Sequence, residues 1–480
     1  MIICKMLIDG RIVESESSRW IDCIDPTNEE VFARVPRASN KDVDVAFLAA
    51  ERAYQTWKML SIEQRASCLL ALADKIDAHS EEIGMLECRD TGHTLKMVLE
   101  DAGKASYFLR YYAALGLEIK GEVIPATVPG NLHVTIREPY GVTAKIVPFN
   151  HPVMFASRIG APLVAGNTVI LKAPKEASAS ICKFAELCQE VFPAGVVNVI
   201  TGDGSEVGDY IVKHPKIKRI GFIGSEKTGL NIQRAAAEVS IKHLSLELGG
   251  KNAMIVYPDA DVEKAINSVP GGMSFAWSGQ SCGSLTRLYL HESIYDKALK
   301  QLKMLVDNMV VGNPFDSTSD MGPIIHKQQY EKVLYYIQAA FEDGAQLVSG
   351  GVKPEGAEFA KGYWVRPTVF TEVTPEMRLF REEVFGPVLS VIRWKDEGEM
   401  MKSANALNLG LTGSIWTQNI NTAFRAAERL ETGYIWINAV ATHYKAVPFG
   451  GKKNSGIGRD ECMEEIMSYT ESKAVNVILG

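Results

Sequence analysis

Between residues 141 and 446 the chain alternates, in two successive stretches, between short β-rich runs and segments of helical periodicity. No other feature restricts the fold as much. In 141–250 the runs GVTAKIVPF, NTVILKA, GVVNVITG, RIGFIG and HLSLELGG surround helical stretches at 176–191 and 226–238. From 251 to 446 follow KNAMIVY, RLYLHESI, WVRPTVF, PVLSVIRW, LTGSIWT and GYIWINA, with helices expected near 293–310, 326–343 and 420–430. Strands separated by helices return to the sheet through crossovers and so lie mostly parallel. The pattern predicts two open α/β sheets in succession.

The flanking regions read differently. MLIDGRIVE alternates apolar and polar residues and predicts a hairpin turning at Asp9-Gly10. From about Asn40 to Tyr112 apolar positions recur at threes and fours, as in amphipathic helices. Ser61 followed by Gln64 forms a capping box for the second of these. Residues 119–138 read as two strands joined by a Pro/Gly turn, either an ordinary surface hairpin or one that pairs with another subunit. YTESKAVNVILG reads as a strand that adds to a neighbouring sheet.

Composition narrows the function classes. A length of 480 residues suffices for two or three domains. The net charge of -7 and the lack of a long basic stretch argue against a nucleic-acid partner. The opening MIICKMLIDGRIVESESS has no basic start followed by an apolar core, so no secretory leader is expected. No uncharged apolar run approaches the ~20 residues of a membrane helix. The eight cysteines, at 4, 23, 68, 88, 182, 188, 282 and 462, form no CxxC pair and no zinc-like grouping with histidine. They are expected to be reduced thiols in a cytoplasmic protein without a metal site.

Four segments carry candidate chemistry. VNVITGDGSEVGDYI places Gly202, Gly204 and Gly208 after a β-run, where backbone N–H groups can meet a phosphate. Its spacing is one residue longer than the dinucleotide fingerprint, and an ordinary strand–helix turn fits it as well. In RIGFIGSEKTG, Phe222 and Ile223 end a strand and Gly224-Ser225 opens a helix. That helix terminus suits a pyrophosphate or a nicotinamide, and Ser225 is equally a plain N-cap. In HLSLELGGKN, Glu247 stands between Leu246 and Leu248 at a strand end. A carboxyl in such an apolar frame is a candidate general base, or else a strand-end salt bridge. In FAWSGQSCGSLTRLYL, the small neighbours Gly279, Ser281, Gly283 and Ser284 leave the Cys282 sulfur reachable, as a nucleophile requires.

Taken together these segments resemble the aldehyde dehydrogenase superfamily over nearly the whole chain. The carrying motifs are PFNHP (148–152), LKAPK (171–175), GFIGS (221–225), LELGGK (246–251), GQSC (279–282), EEVFGPV (382–388), WIN (436–438) and PFGG (448–451). The resemblance implies a Rossmann-like cofactor-binding domain (1–118 and 139–248), an α/β catalytic domain (249–446) and a β-hairpin oligomerisation arm (119–138 and 458–480) in a homodimer or homotetramer. It implies that Cys282 attacks the aldehyde. Asn150 and the Cys282 backbone N–H then hold the oxyanion, hydride leaves to NAD or NADP, and Glu247 activates the water that hydrolyses the thioester. Glu383 would bind the nicotinamide ribose, Phe385 would pack near the ring, Lys172 would meet the adenosine ribose and Ser225 the diphosphate. Lys175, Gly204, Gly208, Phe222, Gly224 and Leu248 complete the expected cofactor set.

Two positions refine the expectation. The family's usual Glu is Lys175 here, and an ammonium pairs with a 2′-phosphate, so NADP is expected to be accepted, with Glu206 as a counterweight. Asn150, Met154 and Arg158 are four apart, with Phe155 beside them, which puts Arg158 at the mouth of the acceptor tunnel. Relatives acting on succinate semialdehyde carry an Arg there, so a semialdehyde with an anionic end is the expected substrate, unless Arg158 is tied up in a local salt bridge. Ala276, Trp277, Ser281, His443 and Tyr444 are further tunnel candidates. A CoA-acylating dehydrogenase would have no use for Glu247, and a cysteine esterase would have none for Glu383 and Phe385.

Overall fold

The computed structural model describes residues 1–478. Its first sheet has a parallel core of five strands: β1 (Val142–Ile146), β2 (Thr168–Lys172), β3 (Val197–Ile200), β4 (Arg219–Gly224) and β5 (His243–Leu248). They lie in the order β3-β2-β1-β4-β5. The strands are rich in Val, Ile and Leu and almost wholly buried, because helices cover both faces of the sheet. Met6–Ile8 extends one edge antiparallel to β3, and Gly456–Ile457 the other antiparallel to β5. Met6–Ile8 turns into Arg11–Val13 through Asp9 and Gly10, both at positive φ, as a two-residue hairpin requires. The Ser61–Gln64 capping box is present on the helix Ile62–Ala78.

The strand order fixes where a ligand can bind. The chain runs outward from β1 to β2 and β3, then crosses to the other side of β1 for β4 and β5. Crossovers therefore diverge between β1 and β4 and leave a crevice at their carboxyl ends. Residues 147–150 and 224–225 border it.

The second sheet contains β6 (Ala253–Val256), β7 (Arg287–His291), β8 (Thr368–Thr371), β9 (Val388–Trp394), β10 (Thr412–Trp416) and β11 (Tyr434–Ile437), all parallel, in the order β8-β9-β7-β6-β10-β11. The strand Gln346–Ser349 pairs antiparallel with β8 at the edge. Its apolar core, around Tyr289, Phe370 and Ile415, is separate from the core of the first sheet.

Asn131–Pro139 pairs with Val123–Ile124 and, residue for residue, with the terminal strand Thr470–Ile478. This three-stranded sheet leaves Val123, Ile124, Leu132, Ile136 and Ile478 exposed. The expected arm segment 458–480 is too long by its first part. Gly456–Ile457 belongs to the first sheet, and Ile466 and Tyr469 are fully buried in the core beneath that sheet, so only the strand from Thr470 onward joins the hairpin; residues 479–480 lie outside the described ones.

Candidate active site

Residues beyond the carboxyl ends of the first sheet and residues leading into the second form one wall-to-wall site. A cleft of about 140 Å³ is lined by Phe149, Asn150, Gly224, Ser225, Glu247 and Gly249 from the first group and by Cys282, Glu383 and Phe385 from the second, with Gln329 and Lys332. A larger cavity of about 600 Å³ is lined by Met154, Phe155, Arg158, Trp277, Ser281, Cys282 and His443, among others. Cys282 belongs to both. Its sulfur is the partition between a small polar-rimmed cleft and a wide aromatic tunnel.

Several groups build the Cys282 turn. Gly279 has φ +70°, and a Cβ there would lie 2.3 Å from the Gly386 carbonyl, so only glycine fits. Ser278 is held at positive φ by its hydroxyl, which donates to the carbonyls of Gly322 and Pro323. From behind, Asn252 Nδ2 donates to the carbonyls of Cys282 (2.8 Å) and Ser284 (2.9 Å), while its Oδ1 accepts from the Thr412 N–H at 3.0 Å.

The thiol faces the Glu247 carboxyl. Burial pushes Glu247 up to about 7, although the thiol hydrogen draws it back down. Burial, and then the nearby Glu247 charge, push the Cys282 thiol well above its usual range. Glu247 Oε1 is buried without a hydrogen-bond partner among the described residues. A buried carboxyl with an open acceptor beside a nucleophile can take a proton from the thiol or from a water.

On the cleft side, Glu383 Oε1 accepts the Gly250 N–H at 3.0 Å, and burial raises its carboxyl. A Cβ at Gly249 would lie 2.3 Å from Glu383, so the first glycine of LELGGK clears the space that Glu383 occupies. Phe385, at positive φ, meets Phe149 edge to face at 5.7 Å. Ser225 caps the helix Glu226–Ala237 by accepting the Thr228 N–H and also borders the cleft. Phe222 and Leu248 do not line it. Phe222 packs over Gly224, and Leu248 packs on Gly229, so both support the strand ends. Lys172 ends β2, buried, and burial lowers it to about 8. Lys175 is half-exposed, 3.4 Å from Asp203. Gly204 and Gly208 stand in one wide helical turn, where an added Cβ would meet nothing, so neither is required for space.

Three expectations need correction. Glu206 does not balance Lys175, because Arg19 (2.6 Å) and Arg37 (3.1 Å) hold its carboxylate. The acid beside Lys175 is Asp203. Arg158 reaches the tunnel wall, yet it is not a free anion-binding charge. Its Nη2 donates to Glu461 at 2.6 Å, and Nη1 lies 3.3 Å from Asp460 and 4.0 Å from Glu465. Its Nε and Nη1 are buried without a hydrogen-bond partner among the described residues. Three carboxylates face one guanidinium and Lys145, which pairs with Glu465, so the surrounding field does not favour an anionic tail. Ala276 does not line the tunnel, whereas Trp277 and Tyr444 do.

The comparisons with known proteins meet this geometry. The family model for the aldehyde dehydrogenases matches residues 12–475. The chain belongs to the aldehyde dehydrogenase family. It is 42% identical over 482 residues to the aldehyde dehydrogenase tropH of Talaromyces stipitatus, covering 99% of this chain and 93% of that one. It is 37% identical to a mitochondrial aldehyde dehydrogenase of Leishmania tarentolae, covering 98% and 94%. Among solved structures, an NAD+ complex of a Bacillus cereus aldehyde dehydrogenase superposes with a TM-score of 0.96 at 37% identity, covering 99% of this chain and 97% of that one. Sequence reasoning did not reach Asn252, Lys332, Glu461 or the Asp101–His151 pair described below. Each acts through a partner distant in the chain, and only LELGGK hinted at Asn252 by adjacency.

Proposed function

We propose that this aldehyde dehydrogenase oxidises an aldehyde to a carboxylic acid with NAD(P), with Cys282 holding the substrate first as a thiohemiacetal and then as a thioester. The observation that carries the reading is Cys282 as the shared wall of two cavities. An aldehyde in the tunnel meets one side of the sulfur, and the small cleft suits a nicotinamide on the other. The cleft fits that group because Phe149 and Phe385 give it flat apolar walls and Gly249 leaves room for Glu383, which is fixed beside it. When bound, the nicotinamide accepts hydride from the substrate carbon. As the Cys282 sulfur adds to the carbonyl carbon, the thiol proton passes to the carbonyl oxygen and is released to solvent when hydride departs, and Asn150, bordering the cleft beside Cys282, donates to that oxygen as charge develops on it. Covalent attachment fixes the carbon for hydride departure. Glu247 then draws a proton from water as it attacks the thioester, and acid leaves.

Glu247 against the thiol favours hydrolysis over acyl transfer to CoA. Growth of absorbance at 340 nm with aldehyde and NAD(P), with free acid formed in the absence of CoA, tests the reading. Retention of this activity in Cys282→Ala would refute it. For coenzyme choice, Lys175 can pair with a 2′-phosphate and Asp203 can accept from a ribose hydroxyl, which supports use of both coenzymes. The kcat/KM ratio for NADP over NAD should fall in Lys175→Glu; a strong NAD preference in the unaltered enzyme would sink the idea. The exposed apolar residues of the three-stranded sheet support self-association as a dimer or tetramer, which light scattering on a sizing column would measure. Among the described residues no helix is long and apolar enough to cross a membrane, and we place the enzyme in the cytoplasm on its scattered free cysteines.

A further inference from the structure

The tunnel contains a hydrogen-bonding device that aldehyde oxidation itself does not use. Asp101 is buried in the helix Leu95–Leu115 and accepts from three donors. They are His151 Nδ1 at 2.6 Å, Trp277 Nε1 at 3.1 Å and Lys104 Nζ at 2.9 Å. Burial pushes the Asp101 carboxyl up, but His151 and Lys104 outweigh it and hold the group well below the usual carboxylate range. A carboxylate only accepts, so the His151 proton sits on Nδ1. Nε2 is then the ring nitrogen turned away from Asp101. Among the described residues nothing bonds Nε2, and His151 lines the tunnel. The ring cannot swing freely, because Trp277 and Phe155 pack against it at 5.4 and 5.7 Å.

A second ring repeats the arrangement. His443 Nδ1 lies 3.0 Å from both oxygens of Glu461. Against the upward push of burial, His443 and Arg158 hold Glu461 down at about 2, so it too is a carboxylate that fixes a proton on Nδ1. His443 packs on Phe449 and Tyr434. The rest of the tunnel is largely aromatic, with Tyr107, Phe108, Trp436 and Phe449 among its walls. Flat apolar faces with oriented acceptors suit a flat substrate that carries a hydrogen-bond donor.

We propose that the tunnel selects hydroxylated aromatic aldehydes, whose ring hydroxyl donates to Nε2 of His151 in the tautomer fixed by Asp101. The proposal rests on the aldehyde-oxidation reading above. An unsubstituted ring leaves Nε2 dry and unpaired, and a methoxy group adds bulk without a donor, so both are penalised.

The test compares kcat/KM for benzaldehyde, its three hydroxy isomers and their methoxy counterparts, at saturating coenzyme. In the unaltered enzyme at least one hydroxy isomer should exceed both benzaldehyde and its own methoxy counterpart by about tenfold or more. In His151→Phe that ratio should fall to near one. In His151→Gln, whose amide oxygen still accepts, part of it should return. In Asp101→Asn the amide can donate to Nδ1 and favour the other tautomer, so the hydroxy preference should be lost. Absence of a hydroxy preference in the unaltered enzyme, or its full persistence in His151→Phe, overturns the proposal. Failure to form acid from any aldehyde overturns instead the reading on which it rests.

Discussion

Replacing Glu247 by Gln separates the two halves of the reaction. Burial holds the carboxyl at about 7, where an ordinary glutamate titrates at 4.5. The ionised fraction of such a base rises from about one-eleventh at pH 6 to ten-elevenths at pH 8, so thioester hydrolysis should quicken about tenfold over that interval. Gln cannot accept a proton, and losing a general base costs about 10²–10⁴-fold in the step it serves. The Cys282 thiol is held up by burial and partly by the Glu247 charge, so removing that charge does not hinder thiolate formation. The first turnover should therefore persist while later ones stall. Rapid mixing at 340 nm should show a burst of about one equivalent and then a slow phase, and intact-mass measurement should find the acyl adduct. The same carboxyl has a stability signature of the opposite slope. Its folded-state pKa is raised, so the contribution is present below pH 4.5 and is lost as pH rises to 7, about 3 kcal/mol in all. Urea melts at pH 5 and pH 8 should show Glu247→Gln gaining on the unaltered enzyme by that order. An unchanged kcat, or a pH limb near 7 that survives the substitution, would refute the assignment.

Other perturbations follow from the same geometry. Asn252→Ala removes three hydrogen bonds behind the Cys282 turn and should cost about 2–4 kcal/mol in denaturant melts, with kcat falling more than KM rises; an unaltered kcat would show that the turn holds without it. Gly279→Ala forces a side chain onto the Gly386 carbonyl at positive φ, and activity should fall at least about tenfold, since a small misplacement of the nucleophile is costly; full activity would contradict the packing. Arg158→Met takes the guanidinium from the buried Asp460 and Glu461, while Lys145 still holds Glu465, and should lower stability by about 3–5 kcal/mol. It should raise KM no more for semialdehyde acids than for neutral aldehydes, and a selective rise for the acids would restore the anion-binding role.

The parts legible from sequence were those encoded locally. Alternation of Val- and Ile-rich runs with helices determined the two parallel sheets, because burial on both faces demands such runs. Cys282 stood out by its small neighbours, and Gly249 and Gly279 proved to be places where backbone or carboxylate comes too close for a Cβ. What escaped was long-range pairing. Met154 and Arg158, four apart, both line the larger cavity, but the partner that neutralises Arg158 lies 303 residues later. The carboxylate that orients His151 lies 50 residues earlier on another helix. Glu206 is adjacent in sequence to the segment near Lys175, but Arg19 and Arg37, far earlier in the chain, hold it. Charge in a sequence is visible; whether it is already balanced in the fold is not. The arm boundary failed for a related reason, since the burial of Tyr469 depends on a core built from other segments.

Glu247 borders the small cleft and not the tunnel. Water activated by Glu247 must therefore approach the thioester from the side that a nicotinamide would fill. The cleft of about 140 Å³ is then the space that both the ring and the water would use. The cleft works as a timetable. Oxidation takes the first slot and hydrolysis the second, and the change of occupant between them is a step with its own rate. On the proposed reading, a thioester would be cut from the side the ring occupies during oxidation, so hydrolysis would follow the ring's withdrawal. Substitutions at Phe385 or Phe149 can thus alter turnover without touching a bond that is made or broken, simply by hurrying or delaying that exchange.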